Sequence, residues 1–258
     1  MRTALALAAA ALAAVACVPA ASEPPDQRAD PSPIIPSMPR QKIALMSSLP
    51  LVYGAGVDMA GVIAGKADPH PLHAALAAAH DLAVPDALDA AALKDMRLVI
   101  LVQPRALDPG ELVALDDFVR AGGRLLLFAD PQLDWPHELG LADPRGPLRT
   151  SLISPLLRHW GLELQNTGIE SVRLGKSRVL LVHPGQFGVL QGKSGDGSCR
   201  LAFDASVARC AIGRGRAVMV ADADLLDPEI LANRADSGSA NQQFIHRLLL
   251  ELMQEESG

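Results

Sequence analysis

Aromatic residues are nearly missing from this chain of 258 residues: two Trp, one Tyr and five Phe make up 3% of it. A core made without them has to be packed from Ala, Val, Leu and Ile. Positive charge is also in short supply. The 23 Lys and Arg are outnumbered by 29 Asp and Glu, for a formal net charge of −6. That balance excludes the basic footprint that nucleic acid or an anionic membrane surface selects. Cysteine is scarce too, with three in all: Cys17, Cys199 and Cys210.

What is present starts with an export signal. Arg2 is the only charge before Glu23, and Ala4 to Ala16 is an unbroken run of Ala, Leu and Val. The run is too short to span a bilayer but suits the apolar segment of a secretory signal peptide, residues 1–16. It ends in Ala14-Val15-Ala16-Cys17. Small residues just before a cysteine resemble a bacterial lipobox, in which Cys17 is lipidated and becomes the first mature residue. Ordinary cleavage after an A-x-A site is the alternative reading. Residues 17–40 are rich in Pro, Ser, Asp and Glu and read as a disordered tether. The folded part is expected to be a single domain over 41–258. With Cys17 set aside, Cys199 and Cys210 form an even pair. In an oxidising compartment they are expected to join as a disulfide; two half-buried free thiols are the other reading.

Apolar runs then alternate with helix signals. Lys42 to Met46 reads as a first buried strand ending in Ser47-Ser48, and Gly54 to Gly65 as a Gly-rich connection. Pro71 to Ala79 reads as an Ala-rich helix, and Asp89 to Leu93 as a short one. Leu98 to Val102 has the composition of a strand buried on both faces. Asp108-Pro109-Gly110-Glu111 is a helix start, with a capping Asp, Pro in the first turn and Glu completing a capping box. Gly122-Gly123 supplies the stop, and Leu125 to Ala129 is the next strand. Strand, helix and strand in that order make a parallel βαβ unit. Ser154 to Trp160 reads as a short helix, Val179 to Val182 as a strand and Cys199 to Ile212 as an antiparallel excursion. Ala217 to Ala221 is a last buried strand, and Asn241 to Met253 an amphipathic helix. The fold class is α/β, with a doubly wound, mostly parallel sheet.

The segment QPRALDPGELVALDDFVRAGGRLLLFADP, with Gly122, Gly123, Asp130 and Pro131, resembles the auxiliary-domain family of uncharacterised ABC-type transport systems, which includes gliding-motility auxiliary proteins. The tail GRGRAVMVADADLL and the helix from Asn241-Gln242-Gln243-Phe244 fit the same pattern, so the resemblance covers roughly 42–250. It implies a flavodoxin-like sheet similar to that of the class I glutamine amidotransferases. It also implies an extracytoplasmic subunit beside an ABC permease and ATPase, with a lipid anchor on Cys17 as its hold on the membrane.

Catalytic signals are sparse. The strand ends carry Ser47-Ser48, Gln103-Pro104, Asp130-Pro131 and Asp222-Ala223-Asp224, with no cysteine nucleophile among them and no G-x-S-x-G elbow around the serines. Gly192-Lys193-Ser194 resembles the end of a P-loop, but Phe187 occupies the position of its first glycine, so a loop tip is expected. His70, His73 and His80 cluster in sequence; His70, before Pro71, is placed outside the helix, and His73 and His80 would sit about 10 Å apart on it, too far to share one zinc, so surface histidines and no metal are expected. No cofactor is implied. Asp130, Asp222 and Asp224 fall at carboxyl ends of strands, where an open α/β sheet forms its ligand crevice. They are read either as ligands for a polar or cationic group, with Ser47, Ser48 and Gln103 as neighbours, or as caps of the helices that follow. The leading expectation is a non-catalytic, exported, periplasmic binding or scaffolding subunit of an ABC-type transport system. The alternative is a periplasmic hydrolase using the strand-end carboxylates.

Overall fold

A computed structural model of the chain describes residues 34–54, 59–66, 68–137, 143, 146–176, 178–190, 197–233 and 238–254. The signal peptide, Cys17 and the Gly192-Lys193-Ser194 loop lie outside the described residues.

The apolar runs make a seven-stranded sheet. Its strands are β1 (Lys42–Ser47), β2 (Asp81–Ala83), β3 (Leu98–Val102), β4 (Arg124–Phe128), β9 (Gly197–Ala202), β10 (Val207–Ile212) and β11 (Gly215–Val220). The order is β2-β1-β3-β4-β11-β10-β9. From β2 through β11 every neighbour is parallel. Strands β10 and β9 then run antiparallel, as the sequence led one to expect of that region. This is the flavodoxin-like order, with an antiparallel hairpin added beyond the last parallel strand.

Helices cover both faces, which is why the central strands are apolar at consecutive positions. Ile43, Leu45, Ile100, Leu126, Phe128 and Val220 point to one side. There they meet Leu72 and Leu76 of α2 (Pro71–Ala79) and Phe244, Ile245, Leu248 and Leu252 of α7 (Gly238–Met253). Ala44, Met46, Val99, Leu101, Leu127 and Met219 point to the other. There they meet Leu93 of α3 (Ala90–Leu93), Leu115 and Val119 of α4 (Pro109–Arg120), and Leu156 and Leu157 of α5 (Ser154–His159). Trp160 Nε1 donates to Asp116 Oδ1 at 2.7 Å and ties α5 to α4.

Start signals are satisfied locally. Asp89 Oδ1 accepts from Ala92 N at 2.8 Å to cap α3. Asp108 and Glu111 form the capping box of α4. Residues between β4 and β9 hold two small ladders that the sequence did not reveal. One pairs β5 (Leu162–Asn166) with β8 (Gly185–Val189), the other β6 (Ser171–Leu174) with β7 (Val179–Val182). The Gly-rich connection contains the short helix α1 (Met59–Ile63). A 3-10 turn, Asp224–Leu226, and the short helix α6 (Pro228–Ala232) follow β11.

The packed domain begins earlier than composition suggests. Ile35, placed in the tether by its Pro-rich setting, is buried in the main core, with Ile34 and Met38 against it. Arg40 donates to the Ala78 and His80 carbonyls at the end of α2 and to the Asp81 carboxylate of β2. Cys199 and Cys210 face each other across the β9–β10 ladder and are joined by a disulfide.

Candidate functional site

Parallel strands bring their carboxyl ends to one edge, and all six candidate residues lie there. Ser47 closes β1, Gln103 follows β3, Asp130 follows β4, and Asp222 and Asp224 follow β11. The order reverses between β1 and β3, where the crevice of such a sheet forms.

The polar atoms there are turned onto the protein's own backbone. Ser47 Oγ accepts from Leu49 N at 2.9 Å. The Ser48 hydroxyl donates to the Gln103 carbonyl, which also receives Ser48 N. Gln103 is fully buried with φ 42°. Its Nε2 donates to the carbonyls of Asp130 and Leu148, and its Oε1 accepts from Asp130 N.

The carboxylates continue this pattern. Asp130 accepts from Gln132 N at 2.7 Å and Ala223 N at 2.9 Å. Asp222 accepts from Val182 N at 2.6 Å and, capping the 3-10 turn, from Leu225 N at 2.7 Å. Asp224 Oδ2 accepts from Asp134 N at 2.8 Å, while its Oδ1 is buried with no hydrogen-bond partner. Asp130 and Asp222 are 0% exposed and Asp224 is 2% exposed, so no open crevice reaches them. Only Asp222 caps the turn that follows it; Asp130 and Asp224, and the second oxygen of Asp222, staple backbone distant in the chain.

Burial dominates their electrostatics. It pushes the Asp130 carboxyl up to about 6, against the amides of Ala223, Gln132 and Asp224 and the charge of His183. Asp222 is raised well above the ordinary carboxylate range by burial and then by the charge of Asp130. Asp224 is pushed up to about 8 for the same two reasons. Of these values, that of Asp224 lies above neutrality.

Sequence reasoning missed several residues at this edge. His183 has φ 46° and a buried Nδ1 with no hydrogen-bond partner. His70, expected at the surface, is buried: its Nδ1 accepts from Leu72 N and its Nε2 donates to the Leu226 carbonyl at 2.7 Å. That pattern fixes a neutral ring capping α2, and burial holds its pKa below the usual imidazole value. His80, also expected at the surface, is buried at the far end of α2, on the amino edge of the sheet. The one hint in the sequence was His70-Pro71, since a residue before Pro at the first helical position is placed to cap. Among the described residues no group of three or more His, Cys, Asp or Glu is arranged to hold a metal ion.

An open depression of about 510 Å³ lies at the opposite, amino edge, lined by Arg40, Lys42, Asp81, Leu82 and Met96 among others. Its cations are already engaged: Arg40 with Asp81 at 3.1 Å and Lys42 with Asp95 at 3.9 Å. Among the described residues no helix is long and apolar enough to cross a membrane.

The family model of an ABC-type uncharacterized transport system matches residues 40–178, more than half of the chain. No curated protein matches. Among solved structures, the exo-β-1,4-mannosidase Op5Man5 from Opitutaceae bacterium strain TAV5 is similar at 10% identity and a TM-score of 0.46, over 84% of this chain and 37% of its own. The chain thus spans little more than a third of that enzyme. The cytoplasmic protein STM1381 from Salmonella typhimurium LT2 is similar at 12% identity and a TM-score of 0.44, over 83% of this chain and 100% of its own. A putative ThuA-like protein from Bacteroides uniformis ATCC 8492 is similar at 9% identity and a TM-score of 0.41, over 85% of this chain and 94% of its own.

Proposed function

The chain belongs to the family of ABC-type uncharacterized transport systems, and from that premise we propose that it is an extracytoplasmic, non-catalytic auxiliary subunit that binds or scaffolds beside an ABC permease and ATPase. The observation that carries this reading is the family match from β1 through β6. Two features support its finer parts. The side chains of Gln103, Asp130, Asp222 and Asp224 bond backbone amides and carbonyls and are buried, which tells against the hydrolase alternative. The Cys199–Cys210 disulfide suits an oxidising compartment outside the cytoplasm. The apolar run before Cys17 supplies export, and acylation of Cys17 supplies the hold on the membrane.

Intact mass and membrane fractionation of the natively expressed chain, beside a Cys17→Ser variant, test the anchor. The expected result is acyl mass on Cys17 and loss of the variant from membranes. A soluble, unacylated mature chain contradicts it. Association is tested separately, by identifying the polypeptides that co-purify from native membranes.

A further inference from the structure

Three carboxylates meet where the ends of β4 and β11 adjoin, and each fastens a different segment. Asp222 holds Val182 N at the end of the β6–β7 hairpin. Asp224 holds Asp134 N in the loop after β4. Asp130 holds Ala223 N, joining β4 to the segment after β11. The charges acting on the cluster are mostly of the same sign. Asp134, in the loop after β4, and Asp227, ahead of α6, add to the negative field at Asp224. His183, after β7, is the basic group that acts on Asp130. Asp224 Oδ1 is buried and accepts no hydrogen bond, an atom placed for a proton rather than for a full charge. With these side chains at most 2% exposed, the ligand that reaches them without unfolding the edge is a proton.

We propose that Asp130, Asp222 and Asp224 form a proton-binding latch, which fastens the end of the β6–β7 hairpin and the Asp134 backbone to the sheet while the cluster holds protons and loosens both as the protons leave. The inference stands apart from the transport reading, because it uses only the geometry of the edge.

The upward displacement of all three carboxyls agrees with the latch. An ionised carboxylate is the better acceptor for an amide, so each bond alone would tighten at high pH. Burial is the largest influence on all three, and mutual repulsion adds to it, so the cost of a second buried charge prevails. The sign follows. A carboxyl whose folded value lies above its unfolded value gives stability that is complete below the unfolded value and is lost as pH rises. The window runs from the ordinary value of 3.8 up through about 6 for Asp130 and about 8 for Asp224.

Amide hydrogen exchange on the full chain tests the latch, corrected for the intrinsic pH dependence of exchange. Protection at Val182, Asp134 and Ala223 is expected to fall between about pH 5 and about pH 8, approaching tenfold per pH unit for each proton released, while α4 keeps its protection. The Asp224→Asn variant, which cannot ionise, is expected to show a shallower fall. Equal behaviour of α4 and the latch amides, or an unchanged slope in the variant, would overturn the proposal. Should the variant fail to fold, a carbon-13 titration of the wild-type aspartate carboxyls decides. At least one carboxyl titrating near or above neutrality sustains the latch; ionisation of every aspartate below about pH 5 overturns it.

Discussion

Gln103 and Asp130 are joined twice, the Gln103 side chain donating to the Asp130 carbonyl at 3.1 Å and accepting from the Asp130 amide at 2.9 Å. The side chain of one strand end thus takes the place of a further rung in the ladder between β3 and β4. Its remaining donor reaches the Leu148 carbonyl at 2.9 Å and brings the long loop back onto the sheet. Gln103→Ala leaves the buried Asp130 amide without an acceptor and takes one donor from the Leu148 carbonyl, while the Asp130 carbonyl keeps the Ser151 amide, and a loss of about 2 kcal/mol is expected. Urea denaturation checks this through a lowered midpoint at unchanged m-value.

Glu111 has a comparable role on the other side of the sheet. It takes both Arg105 terminal nitrogens at 2.8 Å, the Asp108 amide at 2.8 Å and the Leu88 amide at 2.9 Å. The Arg105 guanidinium, foremost among these, holds the Glu111 carboxyl down to about 2. A depressed carboxyl gives stability above its unfolded value, and that stability fades as pH falls through the folded one. Glu111→Gln is expected to cost about 2 kcal/mol near neutrality. The gap between the two proteins should close as pH falls from 4.5 towards about 2. Thermal unfolding across that range measures it.

The disulfide spans a sequence separation of 11. A loop of that size constrains the unfolded chain by about 3 kcal/mol. Reduction, or the double substitution Cys199→Ser and Cys210→Ser, should lower stability by about that amount while the β9–β10 ladder persists in circular dichroism.

Gly215 sits where β11 passes the end of α4. A Cβ there would run into the carbonyl oxygens of Val119 and Gly123, both backbone atoms held by α4 and its stop. Gly215→Ala is expected to cost more than about 3 kcal/mol, or to prevent soluble expression, with the urea midpoint as the readout.

These sites show why the sequence was legible in part. The unit from Leu98 to Ala129 could be read because its signals are local: a doubly buried apolar strand, a Pro and capping box, then Gly-Gly. Strand β2 spans three residues and β5 is half polar, so neither has a period long enough to detect. The aspartates could be placed at the edge from strand ends alone. Their burial could not, because their partners Val182, Asp134 and Ala223 are distant in the chain or follow an unread turn. Gln103 looked like a neighbour to a ligand, and its link to Asp130 crosses 27 residues with no mark in either segment. His70 and His80 read as surface histidines because nothing in the neighbouring sequence marks what covers them. Here one caps the helix beneath Leu226 and the other ends it under Arg40.

The measurement that tests the transport reading most directly is the stoichiometry of the complex recovered from native membranes in mild detergent with the full chain as bait. The account predicts an ABC permease and its ATPase in fixed ratio to the chain, retained at moderate salt. Recovery of the chain alone, from membranes in which the permease and ATPase are both present and intact, would contradict it.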